Sequence, residues 1–120
     1  VKAEKLVDPH TADIIIRHSK RPRTMLAIAA VESGKAGPQV RGDHGRSIGT
    51  FQIQPHHWHD IIGNDGEVGD DLETQVRQAD AVFDVLVQTY GYSEAVKRWN
   101  GTGTKAVLYR RKVRQVMARL

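Results

Sequence analysis

The chain has 120 residues, a formal net charge of +4 and no cysteine. We therefore expect one domain, residues 1–120, without disulfide bonds, cysteine-ligated metal sites or a membrane span, because no apolar run approaches the roughly 20 residues that a span needs. The charge favours a polyanionic partner, and it leaves nucleic acid, an anionic membrane surface and an anionic wall polymer open.

The first predicted helix begins at Asp8 and Pro9, since aspartate is a good helix cap and proline is favoured in the first helical position. It extends to about residue 19, with Ile15 and Ile16 facing inward, and Pro22 breaks it.

A second helix is predicted over residues 25–33, with Thr24 as its cap and Gly34 as its stop. It is apolar on nearly every face, which is typical of a helix buried in the centre of a domain. Glu32 is the exception within it. Burial raises the pKa of a carboxyl, so Glu32 is a candidate proton donor, although it could instead cap a loop amide or pair with an arginine.

The middle of the chain is predicted to be irregular. Residues 34–49 are rich in glycine and form a loop with room for a small hairpin. Residues 49–53 alternate enough to predict a short strand, residues 55–62 a short helix and residues 63–66 a turn.

The second half is predicted to be helical. Asp70 and Glu73 form a capping box before a long amphipathic helix that Gly91 ends. Ser93 is expected to cap a short helix that carries Trp99. The inward face of the long helix consists of Leu72, Val76, Ala79, Phe83, Leu86 and Tyr90, and that of the last helix of Ala106, Tyr109, Val113, Val116 and Leu120.

Four segments resemble, in order and spacing, the motifs of lytic transglycosylases of the soluble type, which belong to the lysozyme-like superfamily. Residues 29–34 (AAVESG) resemble the Glu-Ser motif at the end of a buried helix. Residues 49–55 (GTFQIQP) resemble the Gly-x-x-Gln-Ile-x-Pro motif, and residues 95–101 (AVKRWNG) the Ala-Tyr-Asn-x-Gly motif. Residues 109–113 (YRRKV) are similar to the Tyr-x-x-Lys-Val end of the domain.

The resemblance implies an α+β, mainly α, lysozyme-like fold with a small β region, residues 47–53, beside an active-site cleft. It implies cleavage of the β-1,4 bond between N-acetylmuramic acid and N-acetylglucosamine, with a 1,6-anhydro product and without a cofactor. Glu32 would be the single catalytic acid/base, Gln52 would bind an N-acetyl sugar and Asn100 would shape the facing wall. The other predicted substrate-binding residues are Ser33, Ser47, Ile53, Trp99 and Tyr109.

Two positions depart from related patterns. Ser47 occupies roughly the place where animal-type lysozymes, which this stretch also resembles, carry a second carboxylate. Because a retaining glycosidase normally needs two carboxylates, Ser47 favours the route with one, and Asp43 is the nearest acidic alternative. Trp99 stands where the family usually has tyrosine, and an indole cannot supply a phenolic hydroxyl. We expect Trp99 to pack and to form part of the cleft wall.

Residues 56–60 (HHWHD) invite a metal interpretation, but only His56 with His59 or Asp60 has suitable spacing and no third ligand is evident. Surface histidines and a half-exposed Trp58 beside a saccharide cleft are the expectation. The last helix carries Arg110, Arg111, Lys112, Arg114 and Arg119 on its other face. This is a solvated basic face or a contact for anionic wall polymer.

The expected partner is the peptidoglycan glycan strand, with no nucleic acid and with a monomeric chain. The expected location is periplasmic or extracellular, a phage-associated setting included, with the export signal outside this chain. Three alternatives remain at this point: a lysozyme-type hydrolase of the same bond, a non-catalytic wall-binding module and a nucleic-acid binder.

Overall fold

The computed structural model describes residues 6–120, and within this range the chain forms six α-helices and one two-stranded sheet. In chain order the elements are α1 (Pro9–His18), α2 (Pro22–Glu32), β1 (Arg41–Gly42), β2 (Ser47–Ile48), α3 (Pro55–Ile62), α4 (Leu72–Tyr90), α5 (Tyr92–Asn100) and α6 (Thr104–Ala118). The mainly helical α+β class expected from the sequence is confirmed. Among the described helices, none is long and apolar enough to cross a membrane.

Helix α2 lies at the centre of the core, as its uniformly apolar sequence predicted. Met25, Ala27, Ile28 and Ala29 are completely buried, and the helix packs against α1, α4 and α6. A helix that is apolar on all faces can bury its side chains only where neighbouring elements cover it from several sides. The position of α2 therefore places Glu32, its last residue, where the core meets the surface.

The beginnings of the first two helices were predicted in part. Asp8 caps α1, and its carboxylate accepts hydrogen bonds from the amides of His10 and Thr11. Ile15 is buried, but the prediction for Ile16 was wrong: its side chain is 55% exposed because α1 covers the core with one face only. The cap predicted at Thr24 was also wrong, since α2 begins at Pro22 and the Thr24 hydroxyl bonds the Tyr92 phenol at 2.5 Å.

Helix α4 has the predicted extent, and its stripe of apolar residues is buried from Leu72 to Leu86. The prediction for Tyr90 was wrong, since this last residue of the stripe is 43% exposed. Its cap is Asp71 rather than Asp70, because it is the Asp71 carboxylate that accepts a hydrogen bond from the Thr74 amide at 2.9 Å. At its other end Gly91 leads directly into α5, so Ser93 lies inside that helix and does not cap it. Each cap error is a displacement by one or two residues along the chain.

The β region is a small hairpin followed by a turn. Arg41 pairs with Ile48 and Gly42 with Ser47, and a 3-10 turn, Asp43–Gly45, joins the two strands. The strand predicted over residues 49–53 was wrong: residues 49–52 form a turn, in which the Gln52 amide donates to the Gly49 carbonyl at 3.1 Å. Only Ile53 returns to the sheet, through a bridge to Ile48.

Candidate active site

A cleft of about 600 Å³ opens between the hairpin and helices α3, α4 and α5, with Glu32 in its wall. This volume lies within the range that is usual for binding sites of small molecules. The lining residues come from every element around the cleft: Glu32, Asp43, Ser47, Gln52, Ile53, Gln54, His57, Trp58, Val82, Leu86, Arg98, Trp99, Asn100 and Gly101.

Glu32 owes its environment to the helix that carries it. Met25 and Ile28, seven and four residues earlier, are completely buried, so the carboxyl is attached to the edge of an apolar core. Burial raises the pKa of Glu32 from 4.5 to about 7, because an apolar environment disfavours the charged form, and the hydrogen bond from Tyr109 opposes this rise. Near neutral pH the group is therefore present in both protonation states.

Tyr109 stands behind Glu32 and does not line the cleft. Its phenol donates a hydrogen bond to Glu32 Oε2 at 3.1 Å, and its side chain is 8% exposed. Burial is the largest cause that raises the pKa of Tyr109 well above its usual value, and the charge of Glu32 and their hydrogen bond add to it. Tyr109 thus stays a donor. It was predicted to bind substrate directly, and the structure places it on α6 behind Glu32, outside the residues that line the cleft.

The turn at residues 49–52 is fastened to the elements around the cleft. The Ser33 hydroxyl donates to the Thr50 carbonyl at 2.8 Å, and Trp99 Nε1 donates to the Phe51 carbonyl at 3.1 Å. Ser33 was predicted to bind substrate, but its hydroxyl faces this turn and the residue does not line the cleft. Trp99 packs against Phe83, with ring centroids 6.1 Å apart, and also forms part of the cleft wall.

Gln52 lies in the cleft wall with its amide group already engaged. Its φ is +52°, and Nε2 donates to the carbonyls of Gly49 at 2.9 Å and Val40 at 3.4 Å. A Cβ on Gly42 would collide with Gln52 Oε1, so this strand position admits only glycine without a shift. Gln52 therefore joins the hairpin to the turn in addition to facing the cleft.

The cleft holds a second carboxylate. Asp43, in the 3-10 turn of the hairpin, is exposed and lines the same cleft as Glu32. Gln54 Nε2 donates to Asp43 Oδ2 and to the Ser47 hydroxyl, both at 3.1 Å. Ser47 is thus buried against an amide, and the side chain that carries negative charge on this wall is Asp43. The sequence identified Asp43 as the nearest acidic alternative, and the hairpin places it in the wall of the same cleft as Glu32.

Six of the eight predicted site residues line the cleft: Glu32, Ser47, Gln52, Ile53, Trp99 and Asn100. The residues that were not predicted come mainly from helices α3, α4 and α5. Val82 and Leu86 are one turn apart on the buried stripe of α4, and nothing in that stripe distinguishes a cleft wall from core. Arg98 directly precedes Trp99, and its place within the motif at residues 95–101 was the signal that could have identified it.

The histidines of α3 make few contacts with one another. The rings of His56 and His57 lie 4.3 Å apart, and His59 Nδ1 is 2.7 Å from Asp60 Oδ1. Within residues 6–120, histidine, aspartate and glutamate side chains nowhere gather in a group of three that could bind a metal ion. His57 and Trp58 face the cleft, so α3 contributes one of its walls.

The basic face of α6 lies on the side of the helix opposite Tyr109. Arg110, Arg111 and Arg114 line a shallow groove of about 400 Å³ there. Arg110 and Arg114 both donate to the Ser93 hydroxyl, at 3.2 and 2.6 Å. This groove is therefore separate from the cleft that contains Glu32.

No protein-family model, curated protein or solved structure matches the chain. What the cleft can do follows from its own geometry. A carboxyl with a pKa of about 7 in a cleft wall can donate a proton to a leaving oxygen near neutral pH and can afterwards accept one. The arrangement suits general acid/base catalysis on a ligand that fills the cleft.

Proposed function

We propose that this protein is a peptidoglycan lytic transglycosylase with a lysozyme-like fold. In this proposal it cleaves the β-1,4 bond between N-acetylmuramic acid and N-acetylglucosamine in periplasmic or extracellular glycan strands and leaves a 1,6-anhydro end. The observation that carries the proposal is the position of Glu32: its carboxyl lies in the cleft wall, at the end of a buried helix, with burial raising its pKa to about 7. Glycosidic cleavage needs such an acid.

The contacts of Glu32 suit both halves of the reaction. Neutral Glu32 protonates the glycosidic oxygen as the bond from C1 to that oxygen breaks, and the N-acetyl group of the muramic sugar stabilises the positive charge at C1. Ionised Glu32 then removes the proton from the 6-hydroxyl, whose oxygen bonds to C1 and closes the anhydro ring. The Tyr109 phenol donates to the carboxylate that exists between the two steps.

The direct test of this role is Glu32→Gln, which removes the proton donor and keeps the size of the side chain. We expect wall lysis to fall by about 100-fold or more, because a positioned general acid contributes that much, while circular dichroism shows an unchanged fold. Glu67→Gln is the matched control, since Glu67 is exposed and does not line the cleft. Lysis by Glu32→Gln at the parent rate would refute the assignment, and binding to walls without any product from the parent would support a non-catalytic module instead.

A second candidate function is hydrolysis of the same bond by water, and Asp43 favours it. Inverting glycosidases use a second carboxylate as a general base that activates water. In the sequence, Ser47 favoured a mechanism with one carboxylate, but Asp43 supplies a second carboxylate in the same cleft. This observation makes the hydrolase a serious alternative to the transglycosylase.

Mass spectrometry of the released muropeptides, combined with Asp43→Asn, separates the two functions. A transglycosylase yields 1,6-anhydro ends, and Asp43→Asn keeps most of its activity. A hydrolase yields reducing ends, and we expect Asp43→Asn to lose about 100-fold because the general base is gone. Asp65→Asn is the control: Asp65 is also exposed with a positive φ, +56° against +53° for Asp43, but lies outside the cleft.

A further inference from the structure

The wall that α5 contributes to the cleft carries a permanent positive charge. Among the described residues that line the cleft, Arg98 alone is always cationic, and it stands next to Trp99 and Asn100. Its side chain is 34% exposed, so it is neither free in solvent nor buried in the core. The sequence analysis assigned no role to Arg98, although it lies within the motif at residues 95–101.

Contacts on two sides hold the Arg98 guanidinium in place. Its Cζ lies 4.0 Å from the ring centroid of Tyr90, which is a cation–π geometry, and its Nε donates to Glu94 Oε1 at 3.4 Å. Within residues 6–120 its two terminal nitrogens make no hydrogen bond. A guanidinium that is fixed by stacking and by Nε presents these nitrogens as a fork, and such a fork matches the two oxygens of a carboxylate.

The charge of Arg98 is not balanced by its neighbours. Glu94 also pairs with Lys97 at 3.1 Å and lies 3.9 Å from Arg110, so three cations share one carboxylate. The hydrogen bond from Lys97 is the largest cause that keeps the pKa of Glu94 below its usual value. This side of the cleft therefore has an excess of positive charge, whereas the hairpin wall carries Asp43.

We propose that Arg98 recognises a carboxylate of the substrate and makes the cleft prefer acidic glycan strands. The inference rests on the proposed function, because muramic acid is the sugar of such strands that brings carboxylates into the cleft. These carboxylates have two sources: the peptide stem, and the lactyl group where the stem has been removed. Both present the same chemistry to the Arg98 fork.

The experiment compares the parent with Arg98→Gln on three substrates: intact peptidoglycan, the same material with its carboxylates converted to amides, and strands stripped of their stems. We expect Arg98→Gln to lower kcat/KM on intact peptidoglycan by about tenfold, mainly through KM, because it loses a charge-assisted bidentate contact. Amidation is expected to lower kcat/KM of the parent by a similar factor and to leave kcat/KM of Arg98→Gln unchanged. The reason is that amidation and the substitution remove the same interaction. Stripped strands carry a free lactyl carboxylate in place of the stem: a difference that persists there shows that Arg98 also binds this carboxylate, and a vanished one restricts its recognition to the stem.

Arg77→Gln is the matched control. Arg77 pairs with Glu73 four residues earlier, as Arg98 does with Glu94, but its side chain is 68% exposed and lies outside the cleft. The inference is overturned if Arg98→Gln and the parent have equal kcat/KM on intact peptidoglycan. It is also overturned if Arg98→Gln lowers kcat/KM by the same factor on amidated as on intact peptidoglycan. A parent without activity on any of the three substrates contradicts the proposed function itself, so the two failures are distinguishable.

Discussion

Burial and the hydrogen bond from Tyr109 shift the pKa of Glu32 in opposite directions. Burial raises the pKa of Glu32, and the phenol of Tyr109 lowers it by donating to the carboxylate, with about 7 as the result. Without the phenol the carboxyl would hold its proton to a higher pH. Under the proposed function, Tyr109 therefore acts through Glu32 as a positioning residue.

Tyr109→Phe tests this role through the pH dependence of activity. The variant loses a hydrogen bond to the charged form of Glu32, so the pKa of Glu32 rises and the alkaline limb of the kcat/KM profile moves up by as much as about one pH unit. The rate at the optimum falls a few-fold, because ionised Glu32 is less stable between the two steps. Tyr92→Phe, which loses a phenol contact to Thr24 instead, should leave the profile in place. An alkaline limb that stays or moves to lower pH after Tyr109→Phe would contradict the assignment.

Helix α4 organises the loops around the cleft through buried amide side chains. Gln75 is 1% exposed, and its Oε1 accepts from the Thr50 amide at 3.0 Å while Nε2 donates to the carbonyls of Pro38 and Gly69, both at 2.8 Å. A Cβ on Gly49, whose φ is +83°, would come within 2.6 Å of this amide. One side chain thus joins three loop segments, and the turn beside Glu32 is among them.

We expect Gln75→Leu to destabilise the fold by about 2–5 kcal/mol, because one amide and two carbonyls lose their partner inside the protein. The turn at residues 49–52 loosens with it, so activity falls even where the chain is still folded. Urea denaturation measures the loss of stability, and Gln88→Leu is the control because Gln88 is an exposed glutamine on the same helix. A difference below about 0.5 kcal/mol between the two variants would show that the network is dispensable.

Over the whole molecule, the site lowers stability in a pH-dependent way. The folded chain holds the Glu32 proton more tightly than the unfolded chain does, so stability is complete below the ordinary pKa of 4.5 and falls as the pH rises to about 7. The full loss is about 3 kcal/mol. Asp84 acts with the opposite sign, since its hydrogen bond from Arg21 lowers its pKa and adds stability that is lost in acid. The rest of the fold therefore has to compensate for an ionisable group at the edge of its core.

Much of this architecture could be predicted because it depends on local patterns. The inward stripe of α4 and the apolar sequence of α2 predicted two helices that lie where expected, since apolar periodicity leaves few ways to bury such a segment. Helix caps were less predictable. Asp70 and Asp71 are the same residue type and suit a helix cap equally well, and only the path of the preceding loop selects Asp71. The alternation at residues 49–53 predicts a strand where the structure has a turn, because alternation does not reveal the positive φ of Gly49 and Gln52.

The sequence by itself determined that Glu32 ends a buried helix, because the uniformly apolar segment before it has to lie in the core. Only the tertiary structure decided what surrounds that carboxyl. It brought Tyr109 against Glu32 from 77 residues away, and it placed Asp43 and Arg98 in the walls of the same cleft. Periodicity and motifs report which face a residue occupies on its own element, whereas contacts between elements depend on how those elements pack.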